Sequence, residues 1–288
     1  MVLTAPAGVD REFPFSDEDF AEICRLVHRE LGIHLTPAKR ELVYGRLVRR
    51  LRALGLPDFR SYCRLLAEAP ETELRELGNA ISTNMTSFFR GPAQFAFLRE
   101  QAWPALRERY RTARRLRIWS AGCSSGQECY SIAACLLAAE PALAQWDWRM
   151  LATDIDERCL QQGREGSYPA DQWHGLPESA HRFFLRGRGR HAGHMRVSRQ
   201  LRQRITFRYL NLMGEWPMHG PLPLIFCRNV IIYFDKPTQR RLFARFAALQ
   251  PPGGYLFLGQ SESLLRVSED YQLVGQNIYQ RRAVAGGG

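Results

Sequence analysis

The sequence predicts an α/β protein with a largely parallel sheet, preceded by a small all-helical domain. Two observations predict this class. Apolar residues in the first part of the chain recur at helical spacing. From about residue 117 onward, short apolar strands alternate with helical segments, which is typical of a parallel sheet covered on both faces. The 288 residues are enough for one large α/β domain and one small domain.

The helical part has clear start and stop signals. Ser16 precedes three acidic residues, so it predicts a capped helix whose first turn favours negative charge. A second helix is predicted to begin after Thr36-Pro37 and to end near Gly55. Two further helices are predicted at Phe59–Ala67 and Glu71–Ser82. We place this domain at residues 12–90.

The second helix is predicted to have two distinct faces. At about 100° per residue, its apolar residues share one arc. The other arc is basic and consists of Lys39, Arg46, Arg49 and Arg50. These four residues are candidates for docking an acidic partner, although a generic solvated face would have the same pattern.

The α/β domain is predicted at residues 91–288. Its first two strands are Arg117–Ala121 and Trp148–Thr153. The chain ends in one or two edge strands within Tyr271–Arg281, which we expect to be antiparallel. Between these parts, strands are predicted at Arg204–Tyr209, Pro223–Cys227 and Gly254–Leu258, and helices at Ile155–Gln162 and Pro237–Leu249.

One interval interrupts the strand–helix alternation. Tyr168–Val197 contains Gly187, Gly189 and Gly193 among basic residues, and glycines permit the tight turn of a hairpin. We therefore predict a small inserted β-subdomain at residues 168–200.

Composition limits the function classes. The net charge of +11 favours an acidic partner, which could be nucleic acid, a membrane surface or a carboxylate-rich protein. Seven cysteines without paired spacing predict reduced thiols and neither disulfides nor a metal site. No apolar run reaches the roughly 20 residues of a membrane helix, and Met1–Asp10 lacks the features of a signal peptide. We expect a cytoplasmic protein with no membrane insertion.

A glycine turn and an acid suggest a nucleoside site. Gly122 and Gly126 lie in a strand–turn–helix pattern that lacks the G-x-G-x-x-G of dinucleotide-binding proteins. Glu128 would repel a phosphate at that helix start. Asp154 ends the next strand, where an acid accepts hydrogen bonds from ribose hydroxyls. The pattern fits an adenosine without phosphates, although a plain tight turn and a helix-capping role for Asp154 are the alternatives.

Four longer strings resemble the CheR family of chemotaxis receptor methyltransferases. The similarity runs in order from about Phe15 to Arg281, which is nearly the whole chain. The family more often has T-G-E-E-P-Y where this chain has Ser125-Gly-Gln-Glu-Cys-Tyr130, and H-S-E where it has Gln260-Ser-Glu262. Glu128 is kept. The strings are Asn84-Met-Thr-Ser-Phe-Phe-Arg90, Trp119-Ser-Ala-Gly-Cys-Ser-Ser-Gly-Gln-Glu-Cys-Tyr-Ser-Ile-Ala133, Phe226-Cys-Arg-Asn-Val-Ile-Ile-Tyr-Phe-Asp235 and Gly259-Gln-Ser-Glu262.

The resemblance implies a fold and a cofactor. The fold is a Rossmann-like class I S-adenosylmethionine-dependent methyltransferase domain with an inserted small antiparallel β-subdomain, preceded by a small all-α domain. The cofactor is S-adenosyl-L-methionine and the product S-adenosyl-L-homocysteine. By resemblance, the cofactor-binding residues are Asn84, Thr86, Arg90, Glu128, Asp154, Asn211, Leu212, Arg228 and Asn229.

The resemblance also implies a reaction, namely methyl-ester formation on glutamate side chains of the cytoplasmic domain of methyl-accepting chemoreceptors. A glutamate carboxylate is already anionic at neutral pH, so this attack needs no general base. Tyr233 is the candidate catalytic residue, because it is predicted just past a strand end where it would orient the acceptor carboxylate. A core-packing role is the alternative for this tyrosine. We expect a monomer that does not bind nucleic acid.

Three other functions compete with this prediction. The positive charge would suit a methyltransferase acting on nucleic acid, but the sequence has neither an N-P-P-Y-type string nor a catalytic cysteine motif. A catalytically silent protein that binds S-adenosylmethionine or S-adenosylhomocysteine within a chemotaxis-like pathway is a second alternative. An NAD-dependent oxidoreductase ranks last, because the phosphate-binding turn is wrong.

Overall fold

The computed structural model describes residues 11–68 and 71–283. The Met1–Asp10 segment, for which the sequence predicted no signal peptide, lies outside these residues. The chain divides into two compact units, the first ending at Ser82 and the second beginning at Thr83. The sequence predicted this division at residue 90, whereas in the structure residues 83–90 belong to the second unit.

The described part of the first unit contains four α-helices, and most of their termini follow the predicted signals; the exception is the second helix, which was predicted to begin after Thr36-Pro37 but begins at Arg40. Ser16 caps α1 because its hydroxyl accepts from the backbone N–H of Asp19, and the Asp19 carboxylate accepts from the Ser16 N–H in return. Gly55 ends α2 in the left-handed conformation, at φ 64°. A short 3₁₀ turn, Pro37–Lys39, precedes α2. The helices are α1 Asp17–Leu31, α2 Arg40–Leu54, α3 Phe59–Ala67 and α4 Glu71–Ile81.

The second unit is built on a seven-stranded sheet. Its strand order is β6-β2-β1-β7-β8-β10-β9; the first five are parallel and the last two antiparallel. This confirms the predicted Rossmann-like class, including the antiparallel edge at the end of the chain. The strands of this sheet are β1 Arg115–Ala121, β2 Asp147–Asp154, β6 Ile205–Tyr209, β7 Leu224–Cys227, β8 Tyr255–Leu258, β9 Tyr271–Gly275 and β10 Ile278–Arg281.

Strand order places the ligand-binding edge. The chain runs from β1 outward to β2 and β6, and then returns to the other side of β1 through β7 and β8. In open α/β sheets ligands bind at the carboxyl ends of the strands where the order reverses in this way. The residues after β1, β2, β6 and β7 are therefore the ones that form a site.

Helices pack on both faces of the sheet. One apolar layer contains Ile132 and Leu136 of α7 together with Trp103 of α6, and the other contains Phe243 and Phe246 of α10. The helices of this unit are α5 Pro92–Phe97, α6 Trp103–Arg109, α7 Gln127–Ala139, α8 Glu157–Glu165, α9 Arg199–Arg202 and α10 Lys236–Leu249.

The segment Pro92–Arg109 is helical, and the sequence pattern did not predict it. A π-helical turn at Leu98–Ala102 joins α5 to α6 and shifts the helix phase between them. Pro92 and Pro104 lie in the first turns of α5 and α6, where proline is tolerated. These prolines and the interrupted helical period explain why the pattern of apolar residues did not predict this helix.

The inserted subdomain is a three-stranded antiparallel sheet with strand order β3-β5-β4, formed by β3 Ser167–Pro169, β4 Phe184–Arg186 and β5 His194–Val197. The predicted hairpin is its β4–β5 pair. Gly187 is required there, because a Cβ atom would lie 2.0 Å from the carbonyl oxygen of His191.

Two further findings concern the described residues as a whole. No helix among them is long and apolar enough to cross a membrane. All seven cysteines are free thiols, five buried and two half-buried.

Candidate active site

The turn after β1 is held against the end of β2. The backbone N–H groups of Gly122 and Cys123 both donate to the Thr153 carbonyl, at 2.8 and 2.9 Å. Gly122 has φ 80°, and a Cβ atom at this position would lie 2.2 Å from a methyl group of Val230, which follows β7. Only glycine allows these two strand ends to approach each other so closely.

Asp154 ends β2 and is buried beside this turn. One carboxylate oxygen accepts from the backbone N–H of Ser124 at 2.7 Å, and the other from the N–H of Asp156 at 3.0 Å. Burial raises the pKa of Asp154, while these backbone donors act in the opposite direction. A carboxylate has about four acceptor positions, so these contacts leave capacity for a hydroxyl group of a ligand.

The segment that begins at Asn84 is tied to the same two strand ends. The Asn84 side-chain amide donates to the Asp156 carboxylate at 2.6 Å, and the Asn84 backbone carbonyl accepts from the Ser124 hydroxyl at 2.9 Å. The other Asp156 carboxylate oxygen caps α8. Near the end of the segment, the Phe89 N–H donates to Ser131 of α7. The segment is thereby fixed across the carboxyl ends of β1 and β2.

A buried ion pair joins the first helix turn after β1 to the end of β7. The Glu128 carboxylate accepts from Arg228 at 3.1 Å and from the Ser120 hydroxyl at 2.9 Å; the Arg228 and Glu128 side chains are 4% and 12% exposed. Arg228 also donates to the Arg90 carbonyl at 2.6 Å. Gly91 makes this approach possible, since a Cβ atom there would lie 2.8 Å from the guanidinium.

The remaining predicted residues follow β6 and β7 at the same edge. Leu212 is buried, and Asn211 accepts from the N–H of Met213 at 2.9 Å. Asn229 has a positive φ of 59°. Tyr233 is half-buried in a short 3₁₀ turn, and its hydroxyl donates to the Thr83 carbonyl at 3.4 Å.

Direct hydrogen bonds connect several of the predicted residues, whereas others only belong to the same segments of the chain. Glu128 and Arg228 form one connected group with the Arg90 backbone, and Asn84 and Asp154 are linked through Ser124 and Asp156. Thr86 is half-buried and the Arg90 residue is exposed within the same segment.

Sequence reasoning assigned no role to four residues that hold this site, which are Ser120, Ser124, Asp156 and Glu262. Asp156 could have been found, since an Asp just before an acidic first turn is a typical N-cap. Glu262 was noticed only as part of a string.

Three of the four candidate docking residues lie on α2 of the first unit, and Lys39 lies in the 3₁₀ turn Pro37–Lys39 that precedes it. Lys39 and Arg49 are exposed. Arg46 donates to the carbonyl groups of Ile81 and Ser82, and Arg50 pairs with the buried Glu73. Two of the four therefore have structural contacts inside their own unit.

The site fits S-adenosylmethionine on its own chemistry. The glycine turn is lined by small residues, and the acids at Glu128 and Asp154 accept hydroxyl or ammonium hydrogen bonds but repel phosphate. Among the described residues, the Arg228 Nε is one of the few buried side-chain nitrogens without a hydrogen-bond partner. Arg90 supplies an exposed guanidinium, which suits the carboxylate of a methionine moiety.

Comparisons with known proteins agree with this chemistry. Residues 84–280 match the family model of the CheR methyltransferase SAM-binding domain, and residues 18–82 match the CheR methyltransferase all-alpha domain. A chemotaxis protein methyltransferase of Klebsiella aerogenes is 43% identical over 96% of this chain and 93% of its own length. Chemotaxis protein methyltransferase 2 of Pseudomonas aeruginosa is 42% identical over 96% and 97%.

The Escherichia coli chemotaxis protein methyltransferase is 40% identical over 92% of this chain and 91% of its own. Among solved structures, an S-adenosylmethionine-dependent methyltransferase from Mesorhizobium loti aligns with 56% of this chain and 54% of that chain, at 20% identity and a TM-score of 0.30. The family match confirms S-adenosylmethionine as the cofactor and removes the NAD-dependent alternative. The chain belongs to the CheR methyltransferase family.

Proposed function

We propose that this chain is a protein-glutamate O-methyltransferase that modifies the cytoplasmic domain of methyl-accepting chemoreceptors. The observation that carries the proposal is the similarity, at 40–43% identity over more than nine-tenths of each chain, to proteins named chemotaxis protein methyltransferases. The proposal includes a cytoplasmic location and a monomeric enzyme that does not act on nucleic acid.

The reaction requires the protein to position the acceptor carboxylate and does not require a general base. When bound, S-adenosylmethionine supplies an electrophilic methyl group: a carboxylate oxygen bonds to its carbon as the carbon–sulfur bond breaks, leaving the electron pair on sulfur. Residues of this chain must hold the acceptor carboxylate in line and keep water away from it. In the proposal, Asn84, Glu128 and Asp154 bind the cofactor and Tyr233 faces the acceptor.

The direct test combines binding with transfer. We expect calorimetry to detect binding of both S-adenosylmethionine and S-adenosylhomocysteine to the protein. Radiolabelled methyl groups should appear on receptors in membranes as base-labile esters. A receptor whose candidate glutamates are replaced by alanine is the control and should stay unlabelled. Base-stable label on RNA would support the nucleic-acid alternative, and cofactor binding without transfer to any receptor would support a silent scaffold. Either result would contradict the proposal.

Removing the Tyr233 hydroxyl separates turnover from cofactor binding. We expect Tyr233→Phe to lower kcat at least ~10-fold, because the acceptor carboxylate loses a positioning hydrogen bond. The dissociation constant of S-adenosylhomocysteine should change less than about 2-fold, since the hydroxyl donates only a long 3.4 Å bond to Thr83 within the protein. Steady-state kinetics and calorimetry measure the two quantities. Tyr110→Phe, which alters a tyrosine at the far end of the sheet, is the matched control; an equal loss of affinity and turnover in Tyr233→Phe would contradict an acceptor-side role.

The basic face of α2 is proposed to attract acidic receptor helices. Reversing the exposed pair, Lys39→Glu with Arg49→Glu, should lower kcat/KM for receptor about 10-fold at low ionic strength and less at higher salt. These two residues give a cleaner test than Arg46 and Arg50, whose reversal would also break contacts with carbonyl groups and with Glu73.

The control for this docking test reverses two exposed arginines of the second unit, Arg149→Glu with Arg208→Glu. It changes the net charge equally and should leave kcat/KM within about 2-fold of the wild type. The same loss in both double variants would show that only total charge matters, and no loss in the α2 variant would remove the docking role.

A further inference from the structure

Glu262 is a buried carboxylate for which the reaction has no evident use. It is 2% exposed and lies in the loop after β8. No lysine or arginine of the described chain forms an ion pair with it. A buried charge without a counter-charge requires several hydrogen-bond donors to be tolerated. The groups that donate hydrogen bonds to the Glu262 carboxylate therefore indicate its role.

The donors are backbone N–H groups from two different strand ends. One carboxylate oxygen accepts from Asn229 at 2.8 Å and from Gly259 at 2.5 Å, and the other accepts from Ile232 at 3.3 Å. Gly259 directly follows β8, whereas Asn229 and Ile232 belong to the segment after β7. The carboxylate thus joins the carboxyl ends of two neighbouring parallel strands. Burial raises the pKa of Glu262 and these donors lower it, so the N–H groups favour the ionised form.

The segment after β7 needs this support because its backbone is irregular. Asn229 has a positive φ of 59°, in the left-handed region that asparagine tolerates better than other non-glycine residues but that does not continue a strand. The N–H groups of Asn229 and Ile232 point away from any strand partner and bond to the Glu262 side chain instead. Gln239 holds the other side of the segment, donating to the carbonyl groups of Ile231 and Phe234 at 2.9 and 3.0 Å.

Gly259 is adapted to the carboxylate. A Cβ atom on Gly259 would lie 2.7 Å from the nearer carboxylate oxygen of Glu262 and 2.8 Å from the backbone nitrogen of Asn229. A glycine here is therefore required by the contact itself. Asn277, in the turn between β9 and β10, donates from its side chain to the Glu262 carbonyl and holds the main chain of the loop in place.

We infer that Glu262 is a positioning residue that sets the segment Arg228–Tyr233 in the geometry used for binding and transfer. This inference rests on the proposed function, since that segment carries Arg228 and Asn229 on the cofactor side and Tyr233 on the acceptor side. Glu262 acts on both through the backbone. Its loss should therefore disturb cofactor affinity and turnover together, unlike the loss of the Tyr233 hydroxyl.

The test replaces the carboxylate by an isosteric amide. In Glu262→Gln an NH₂ group takes the place of one oxygen and faces a backbone N–H, so either Ile232 alone or Asn229 and Gly259 together lose their acceptor. For protein with the wild-type circular dichroism spectrum, we expect kcat to fall at least ~30-fold and the dissociation constant of S-adenosylhomocysteine to rise about 10-fold. Glu262→Asp keeps both acceptor oxygens one methylene farther away and should recover part of both quantities.

Gly259→Ala tests the same contact without changing any polar group. The added methyl group must separate Glu262 from Asn229, so both quantities should change in the same direction as in Glu262→Gln. This variant carries the test if the glutamine variant does not fold. The matched control is Gln250→Met, because Gln250 is equally buried and bonded to Tyr255 and Tyr271 at the opposite end of β8. It should lower the melting temperature with kcat and affinity unchanged.

The outcomes separate this inference from the proposed function. If the wild-type chain binds no cofactor or labels no receptor, the proposed function fails. If the wild type does both, and folded Glu262→Gln and Gly259→Ala match the kinetics and affinity of Gln250→Met, Glu262 serves stability alone and the inference is overturned.

Discussion

Replacing Glu128 by glutamine is expected to lower the free energy of unfolding of the second unit by about 3 kcal/mol. The change leaves the buried Arg228 guanidinium without its counter-charge, and breaking one side of a buried ion pair costs about 3–5 kcal/mol. For a unit of this size the melting temperature should fall by roughly 6–12 °C. Differential scanning calorimetry of the apo protein measures this loss.

The double variant Glu128→Gln with Arg228→Met tells an ion pair from two independent contributions. Removing both charges leaves no uncompensated ion, so we expect the double variant to lose about 1–2 kcal/mol less than the sum of the single losses. Strictly additive losses would show that the 3.1 Å contact has no energetic coupling. Asp147→Asn, which alters an exposed pair at the far end of the sheet, is the control and should stay within about 0.5 kcal/mol of wild type.

Cofactor affinity provides the second measurement on the same variants. Both residues belong to the predicted cofactor shell, so S-adenosylhomocysteine binding to Glu128→Gln should weaken at least ~10-fold at a temperature where the protein is fully folded. Folded protein with wild-type affinity would confine Glu128 to a structural role.

Much of the fold could be predicted from local pattern. The strands β1, β2, β7 and β8 are short apolar runs ending in turn residues, and the caps at Ser16 and Gly55 are local chemistry. These signals depend only on neighbouring residues, so a single sequence contains them. The helix Pro92–Arg109 was missed because its π-helical turn breaks the 3.6-residue period on which such predictions depend.

The site was predicted as a set of residues, whereas its contacts were not. Arg228 and Glu128 are 100 residues apart in the chain, and no local sequence pattern indicates that they form an ion pair. Glu262 is even less visible, because its partners are backbone N–H groups whose positions exist only once β7 and β8 are paired. The resemblance supplies the predicted cofactor residues, and the tertiary structure shows which residues contact them.

For the basic residues at α2, the sequence predicts which charges share a face but not which of them have partners. Helical spacing predicted that Lys39, Arg46, Arg49 and Arg50 share one face, but in the structure Lys39 lies in the turn before α2, and spacing alone does not tell which charges already have partners. Arg50 bonds to Glu73, whose carboxylate also accepts from Tyr62, so this arginine contributes to the core of its unit. A docking role is better tested on the two exposed residues.

Asp154→Asn is expected to weaken S-adenosylhomocysteine binding about 100-fold. The native carboxylate accepts from the N–H groups of Ser124 and Asp156 and, in the proposal, also from ribose hydroxyls. In asparagine one oxygen becomes an NH₂ group, which must face either a backbone N–H or the ribose. The ribose then loses one charge-assisted bond, and the bond that remains is to a neutral amide; a combined loss of about 3 kcal/mol corresponds to roughly 100-fold in affinity.

Calorimetry at neutral pH measures this loss, and the pH dependence of the wild type gives an independent test. Burial raises the pKa of Asp154, so its carboxylate protonates at a higher pH than the ordinary value of about 3.9. Binding needs the ionised form as an acceptor. Wild-type affinity should therefore fall on acidification before an ordinary aspartate would titrate, and Asp154→Asn should lack this step.

The control is Asp147→Asn, which makes the same chemical change at the first residue of the same strand β2, seven positions away. It should bind S-adenosylhomocysteine within about 2-fold of wild type, because Asp147 contacts Arg117 at the end of the sheet opposite the site. Wild-type affinity in folded Asp154→Asn would mean that Asp154 only supports the glycine turn and caps the β2 loop, the structural role that its two backbone contacts alone would explain.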